Sequence, residues 1–340
     1  MCIRDRAYGE LIPPRGGEKA KLTPPAPVGP RPGGETEEQT RKRRVEGSER
    51  TFSLVEIRNR RDVVDWFPSE HPPMPAVVQH GPARMGENAW GCALCHMPHG
   101  QGRPENAPVN GLPSAYFIRQ LQDFRSGARA SQDPRKGNTL RMIELAQAMS
   151  DEEMKAAADY YAAIPAKPWV RVVETEKVPK TRVTAAKLFV AIEETRSEPI
   201  AGRIIEVPAD FEQFEIANPK SGIVAYVPPG SIRRGEILAT TGGATAADGK
   251  ISPARTIACV TCHGPDLLGV GEIPAIAGRS PSYLTRQLYD LQQGSRKGSL
   301  AVLMQPVVAN LTEDDFVALA AYVSSRPPAP VAAAVAQPKS

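Results

Sequence analysis

The chain has 340 residues with a formal net charge of +4, 34 prolines and only 6% aromatic residues. That composition excludes one large packed core and points to two or three smaller units. Residues 1–50 hold 11 Lys/Arg against 8 Asp/Glu, and the rest of the chain is balanced at 31 against 30. Overall charge therefore demands no acidic partner, no nucleic-acid-binding motif is present, and no run of about 18 apolar residues is available for a transmembrane helix.

Residues 1–50 are rich in Pro, Gly, Glu and Arg without apolar periodicity and are expected to be disordered. Residues 51–90 carry a short amphipathic stretch (Phe52, Leu54, Val55, Ile57) and then the Pro-rich approach DWFPSEHPPMPAVVQHGP. Next comes Cys92-Ala93-Leu94-Cys95-His96, which recurs 167 residues later as Cys259-Val260-Thr261-Cys262-His263. C-x-x-C-H is the attachment pattern for c-type haem. Two thiols three residues apart lie near one face of a starting helix and can bond the two vinyl groups of one porphyrin, while the next His points at the iron. Half of a zinc site and a redox dithiol are the competing readings. The first needs the two pairs brought together, although 163 residues lie between Cys95 and Cys259. The second needs a strand–turn–helix setting that neither copy shows. The remaining cysteine, Cys2, follows a single Met and is expected to be inert.

The repeat extends beyond the motif. Tyr116–Phe124 aligns with Tyr283–Leu291 in the pattern Y-x-x-R-Q-L-x-D, followed by Gly127 and Arg129 matching Gly294 and Arg296. Apolar positions 117, 121, 124 and 284, 288, 291 follow i, i+4, i+7, so each copy is an amphipathic helix, stopped near its glycine. Ser150–Glu153 and Thr312–Asp315 have the spacing of capping boxes that open a closing helix, and these helices end before Pro165 and Pro327. Between the two copies, WVRVVETEKV, AGRIIEVP and SGIVAYVPPG are short β-branched runs broken by Pro and Gly, which read as strands.

From residue 155 onward the chain has one Met, Met304, and one His, His263. Met304 stands seven residues before Leu311, and Met142 stands seven before Met149 in the matching frame. Met304 and Met142 are therefore the candidate sixth ligands, Met149 being the rival in the first copy, since a Met near a helix also serves as packing. His99 follows His96 by three residues and falls on the wrong side of an iron; His71 and His80 are expected to be surface or loop residues.

In the order C-x-x-C-H, Gly-rich loop, Tyr helix with Q-L, G-x-R, Met and capped helix, the chain resembles the class I cytochromes c, and more narrowly the bacterial two-haem cytochromes of the c-four type. The likeness covers roughly 90–165 and 250–326. It implies a mainly α fold: two tandem helical modules, each around one covalent haem, joined by a small β-rich connector. The expected organisation is a disordered segment 1–50, a first module with lead-in 51–167, a connector 168–230, a second module 231–326 and an Ala/Pro tail 327–340. The resemblance implies Cys92, Cys95, Cys259 and Cys262 as the haem attachments. It implies His96 and His263 as proximal ligands, and Met142 and Met304 as distal ones. It also implies a Pro carbonyl that orients each proximal imidazole. Pro274 fits that role; in the first module the 167 shift lands on Ala107, with Pro108 one residue displaced.

Two filled axial positions leave no open site for substrate, so the expected function is electron transfer between a donor dehydrogenase or cytochrome complex and an acceptor oxidase or reductase. Bond-making catalysis is not required. The alternatives are a two-haem enzyme (a peroxidase or sulfur-oxyanion dehydrogenase) and the cytochrome subunit of a dehydrogenase complex. Haem c attachment implies a periplasmic location. The opening MCIRDRAYGELIPPRGGEKAKL has no apolar run of roughly 7–15 residues to serve as a secretory signal, so the recorded start is expected not to be the natural one.

Overall fold

The computed structural model describes residues 35–133, 136–183, 189–192, 196–244 and 253–328. The expectations for residues 1–34 and for most of the tail lie outside them. From residue 35 the lead-in is structured rather than disordered. It holds two single turns of helix, Glu37–Thr40 and Leu54–Ile57, each opened by a complete capping box, and an antiparallel pair of strands, Arg43–Arg44 with Thr51–Phe52. The anchor is Val45, 1% exposed, in a small core with Leu54, Ile57, Trp66, Phe67 and Ile216. A lone apolar residue among charges has no period to read, and its partner Ile216 belongs to the connector.

The first module comprises α1 (Cys92–His96), α2 (Ser114–Ser126), α3 (Gly137–Ala148) and α4 (Asp151–Ala162). Gly127 ends α2 in the left-handed conformation (φ 75°), which a side chain would resist. The capping box at Ser150 and Glu153 is formed. Leu121 and Phe124 from α2 pack with Met149, Met154 and Tyr161 in one core. Helix α3, which is not among the expected elements, carries Met142 in line with Leu145, Ala146 and Met149, at i, i+3, i+4 and i+7.

The connector is built on a three-stranded sheet in which β1 (Val170–Glu174) and β2 (Ile205–Pro208) flank β3 (Ile223–Val227). β1 runs parallel to β3, Val170 opposite Ile223, while β2 is antiparallel to it, Ile205 opposite Tyr226. One contact layer joins Ile204 and Val227 to Val317, Ala320 and Ala321, so the sheet leans on the closing helix of the second module.

That module contains α5 (Ser231–Thr241), α6 (Val260–His263), α7 (Pro281–Gln292), a 3-10 turn Ala301–Met304 running into Gln305–Val308, and α8 (Glu313–Ser325). α5 crosses α8 at Gly235, where a Cβ would stand 1.9 Å from the Ala318 carbonyl oxygen. The capping box at the start of α8 is formed, and its acidic member Asp315, 1% exposed, also binds Arg234 at 2.7 Å and Arg255 at 2.8 Å. Burial pushes the Asp315 carboxyl up, but bonds from Arg255, Thr312 and Arg234 outweigh it and hold it below its ordinary pKa. Stability from a depressed carboxylate is present above the unfolded pKa, near 4, and is lost as pH falls through the folded value. Asp315→Asn should therefore cost about 1–3 kcal/mol in urea unfolding at neutral pH. The gap to wild type should close in acid; a gap unchanged at acid pH would mean that packing, not charge, is at work.

Candidate functional site

Each module frames one large, mainly apolar cavity that opens to solvent, and the volumes given include that open mouth. The first, about 1320 Å³, is lined by Cys92, Cys95, His96, Leu121, Phe124 and Met142. The second, about 1440 Å³, is lined by Cys259, Cys262, His263, Leu284, Leu291 and Met304. All eight residues singled out from the sequence thus line the cavities, four to each. Met149 also borders the first, but it is the buried C-cap of α3 and part of the core.

The two histidines are held alike. His96 Nδ1 donates to the Ala107 carbonyl at 2.7 Å, and His263 Nδ1 to the Pro274 carbonyl at 2.9 Å. The acceptor in the first module is therefore Ala107, in strict 167 register, and not Pro108. A backbone carbonyl accepts whatever side chain it carries. With Nδ1 as the donor, Nε2 keeps a lone pair for a metal. Burial keeps both imidazoles below their ordinary pKa despite these bonds, so they are neutral, as ligation requires.

The loop after each His repeats too. Gly102 N–H binds the His96 carbonyl at 2.9 Å and Gly269 N–H the His263 carbonyl at 2.8 Å. Gly102 must be glycine because a Cβ there would sit 2.6 Å from the Ala107 oxygen, the atom that orients His96. Met97 follows His96 at φ 64°, ψ 155°, a region close to glycine-only, and its counterpart Gly264 has φ 82°, ψ 162°. The first module carries backbone strain where the second has relieved it.

Burial pushes the Cys92 thiol up to about 12 and the Cys95 and Cys259 thiols up to about 11. No group of three or more His, Cys, Asp or Glu able to hold a metal ion occurs among the described residues. A planar apolar macrocycle fits what is there: a cavity of the right character with two thiols, a neutral imidazole with a free Nε2, and a thioether.

Of the spare histidines, His80 is exposed as expected, with Nδ1 2.6 Å from the Arg61 carbonyl. His71 is not a surface residue. Its ring is 1% exposed because Asp65 supplies a counter-charge and the lead-in folds over α4. Neither His71 nor His99 is among the residues lining the two cavities.

The cavities share a wall. Tyr116, Gln120, Tyr283 and Gln287, two repeat-related pairs, line both. The arginines of the repeated G-x-R cross between modules. Arg129 binds the Tyr283 hydroxyl (3.2 Å) and Gln287 (2.9 Å), and Arg296 binds the Tyr116 hydroxyl (2.8 Å) and Gln120 (2.8 Å). Backbone bonds from Ala130 to Ser295 and from Lys297 to Ala128, both 2.8 Å, close the seam. The arrangement is self-complementary, as in a two-fold dimer. Matched polar residues on an otherwise apolar helix were the available signal in the sequence; the pairing itself was not readable.

A family model described as Cytochrome c matches residues 83–163 and 246–327. Cytochrome c-554(548) of Halomonas halodenitrificans is 38% identical over 86 residues, which are 25% of this chain and 98% of that protein. The chain belongs to the cytochrome c family. This cytochrome is also similar to a thiosulfate dehydrogenase electron acceptor of Thiomonas intermedia, 27% identical over 73% of this chain and 84% of that one. It is 22% identical to cytochrome c4 of Stutzerimonas stutzeri over 68% and 82% of the two chains. Among solved structures, the thiosulfate dehydrogenase (TsdBA) of Marichromatium purpuratum aligns at 27% identity with a TM-score of 0.45. The chain spans 39% of that protein, and the match covers 74% of this one. With two modules, this cytochrome carries two covalently bound haem c groups and transfers electrons. Among the described residues no helix is long and apolar enough to cross a membrane.

Proposed function

We propose that this cytochrome receives electrons from a dehydrogenase that oxidises thiosulfate or a related sulfur oxyanion, on the outer side of the cytoplasmic membrane, and passes them to an oxidase or reductase. The observation that carries the reading is the likeness to two proteins named thiosulfate dehydrogenase electron acceptor, at 27% and 28% identity over 84% and 79% of their lengths. In this reading Cys92, Cys95, Cys259 and Cys262 hold the haems by thioether bonds. His96 and Met142 would hold the iron of one, His263 and Met304 that of the other. Bound haem supplies one-electron storage at iron, and a Met ligand raises its potential. The chain's own part is to fix each imidazole through Ala107 or Pro274, exclude water with apolar walls, and set buried guanidiniums beside both cavities.

With an imidazole and a thioether available to hold each iron, thiosulfate would find no vacant iron, which favours a carrier over a two-haem enzyme. Mixing experiments test this. Thiosulfate alone should leave the oxidised cytochrome unreduced over minutes, and adding a purified thiosulfate dehydrogenase should reduce both haems. Reduction by thiosulfate alone would make the chain itself the enzyme. No reduction with the dehydrogenase present would remove it as the partner.

A further inference from the structure

A cluster of titratable side chains lies behind the loop that follows His96, outside both cavities. His71 Nε2 stands 3.2 Å from Asp65 Oδ2, an ion-pair contact without hydrogen-bond alignment. Its Nδ1 lies 2.9 Å from the Pro72 carbonyl and 3.0 Å from the Tyr160 hydroxyl, which itself donates to the Pro98 carbonyl at 2.9 Å. Both ring nitrogens thus face acceptors, so the doubly protonated ring is the form these surroundings satisfy. His99 packs edge-on against His71, with ring centroids 4.8 Å apart. Its Nε2 is 3.7 Å from Glu70, whose partly exposed carboxylate also meets Lys167 at 3.2 Å and Lys220 at 2.9 Å. Glu70 therefore opens the cluster to solvent.

The cluster is tied to the first module's histidine loop by short links. Tyr160 bonds Pro98, and its neighbour Tyr161 packs edge-on against His96 with centroids 6.5 Å apart. The second module has no equivalent. Past residue 99 the only histidine is His263, and the position matching His99 is Asp266.

We propose that His71, with Asp65 as its counter-ion, is a proton-binding site linked to reduction of the first module: as that module gains one electron from the donor, His71 gains one proton from water. The electron lowers the charge of the buried module by one, and the proton restores it; no covalent bond to carbon or sulfur forms or breaks. Charges buried in a poorly polarisable interior act on each other over longer distances than in water. The neighbours select His71 as the titrating group. Burial lowers its pKa, but the adjacent Asp65 carboxylate and the Pro72 carbonyl more than offset that and leave it raised. Burial, then the charge of His71, pull His99 down to about 4, so His99 stays neutral. Burial, with the Asp65 charge, pushes Tyr160 above its ordinary pKa, so its hydroxyl keeps its proton. Asp65 remains a carboxylate because the nearby His71 and the Phe67 N–H outweigh the cost of burial.

Spectroelectrochemical titration of the two-haem protein from pH 5 to 9 tests the proposal. One midpoint potential should fall with rising pH, between the His71 pKa of the oxidised and reduced forms, and the other should stay flat. The ceiling is a tenfold change in the reduced-to-oxidised ratio per pH unit, or about 59 mV for one proton per electron. His71→Gln should flatten the sloping potential, and His80→Gln, at the surface, should leave it unchanged. Asp65→Asn should move the slope to lower pH, which keeps the test open if the glutamine variant fails to fold. In weak buffer with an indicator dye, wild type should take up protons on reduction near pH 7 and His71→Gln should take up fewer. Two flat potentials, or a slope that survives both the His71 and Asp65 substitutions, would overturn the proposal.

Discussion

Met304→Ala should leave two haems on the chain and change one of them completely. The near-infrared Met–iron absorbance of the ferric protein should fall to half, one haem should become high-spin, and its midpoint potential should drop while the other holds. Axial ligation spans ~0.8 V in haem proteins, so losing the thioether is among the largest single changes available. The reasoning is stronger in the second module because Met304 is the only methionine after residue 154 and lines the cavity that holds His263. Met142→Ala should give the mirror result in the first module. Met149 decides between the two candidates there: it is 6% exposed and sits in the core. Met149→Ala should keep the absorbance and lose about 2–4 kcal/mol of stability. If Met149→Ala loses the band and Met142→Ala keeps it, the ligand assignment in the first module is reversed.

Gly235→Ala should destabilise the second module by ~3 kcal/mol, a large cost for one methyl group. The added Cβ would meet the Ala318 carbonyl oxygen at 1.9 Å, its carbon at 2.6 Å and Tyr322 Cβ at 2.7 Å. Two of these are backbone atoms of α8, so no rotamer change relieves them, and the helices must part. Their separation would open the core formed by Leu238, Ala239, Phe316, Leu319 and Tyr322, which stands beside the second cavity. Thermal unfolding should show a transition lowered by roughly 4–8 °C per kcal/mol for a module of this size. Gly137→Ala is the control: it opens α3, has nothing within 4 Å of its Cβ position, and should be neutral or slightly stabilising. Equal melting temperatures for the Gly235 variant and wild type would show that α5 and α8 pack less tightly than drawn.

Local signals carried much of this molecule. Both capping boxes, the apolar faces of α2 and α7 and the β-branched runs of the connector are short-range patterns, and the 167-residue repeat aligned the rest. Several of the misses share one cause, dependence on a distant partner. Val45 is buried by Ile216, and His71 by residues of α4 and the lead-in. Arg129 finds Tyr283 154 positions away. Helix α3 opens on Gly137 with no capping box, and its stripe of Met142, Leu145, Ala146 and Met149 is blurred by the exposed Leu140 and by Ile143 beside it. The carbonyl expected from proline came from Ala107 because geometry at that point needs an oxygen and not a ring.

The wall built from Tyr116, Gln120, Tyr283 and Gln287 makes the two modules indivisible. Cut within the connector, each half would expose a buried arginine and lose one side of its own cavity, so neither would be a complete single-haem cytochrome. A change at any of the four positions also alters both cavities together. Elsewhere the two modules differ at matching positions, Met97 against Gly264 and His99 against Asp266, but along this seam Tyr116 matches Tyr283 and Gln120 matches Gln287, so a substitution in either module must suit both.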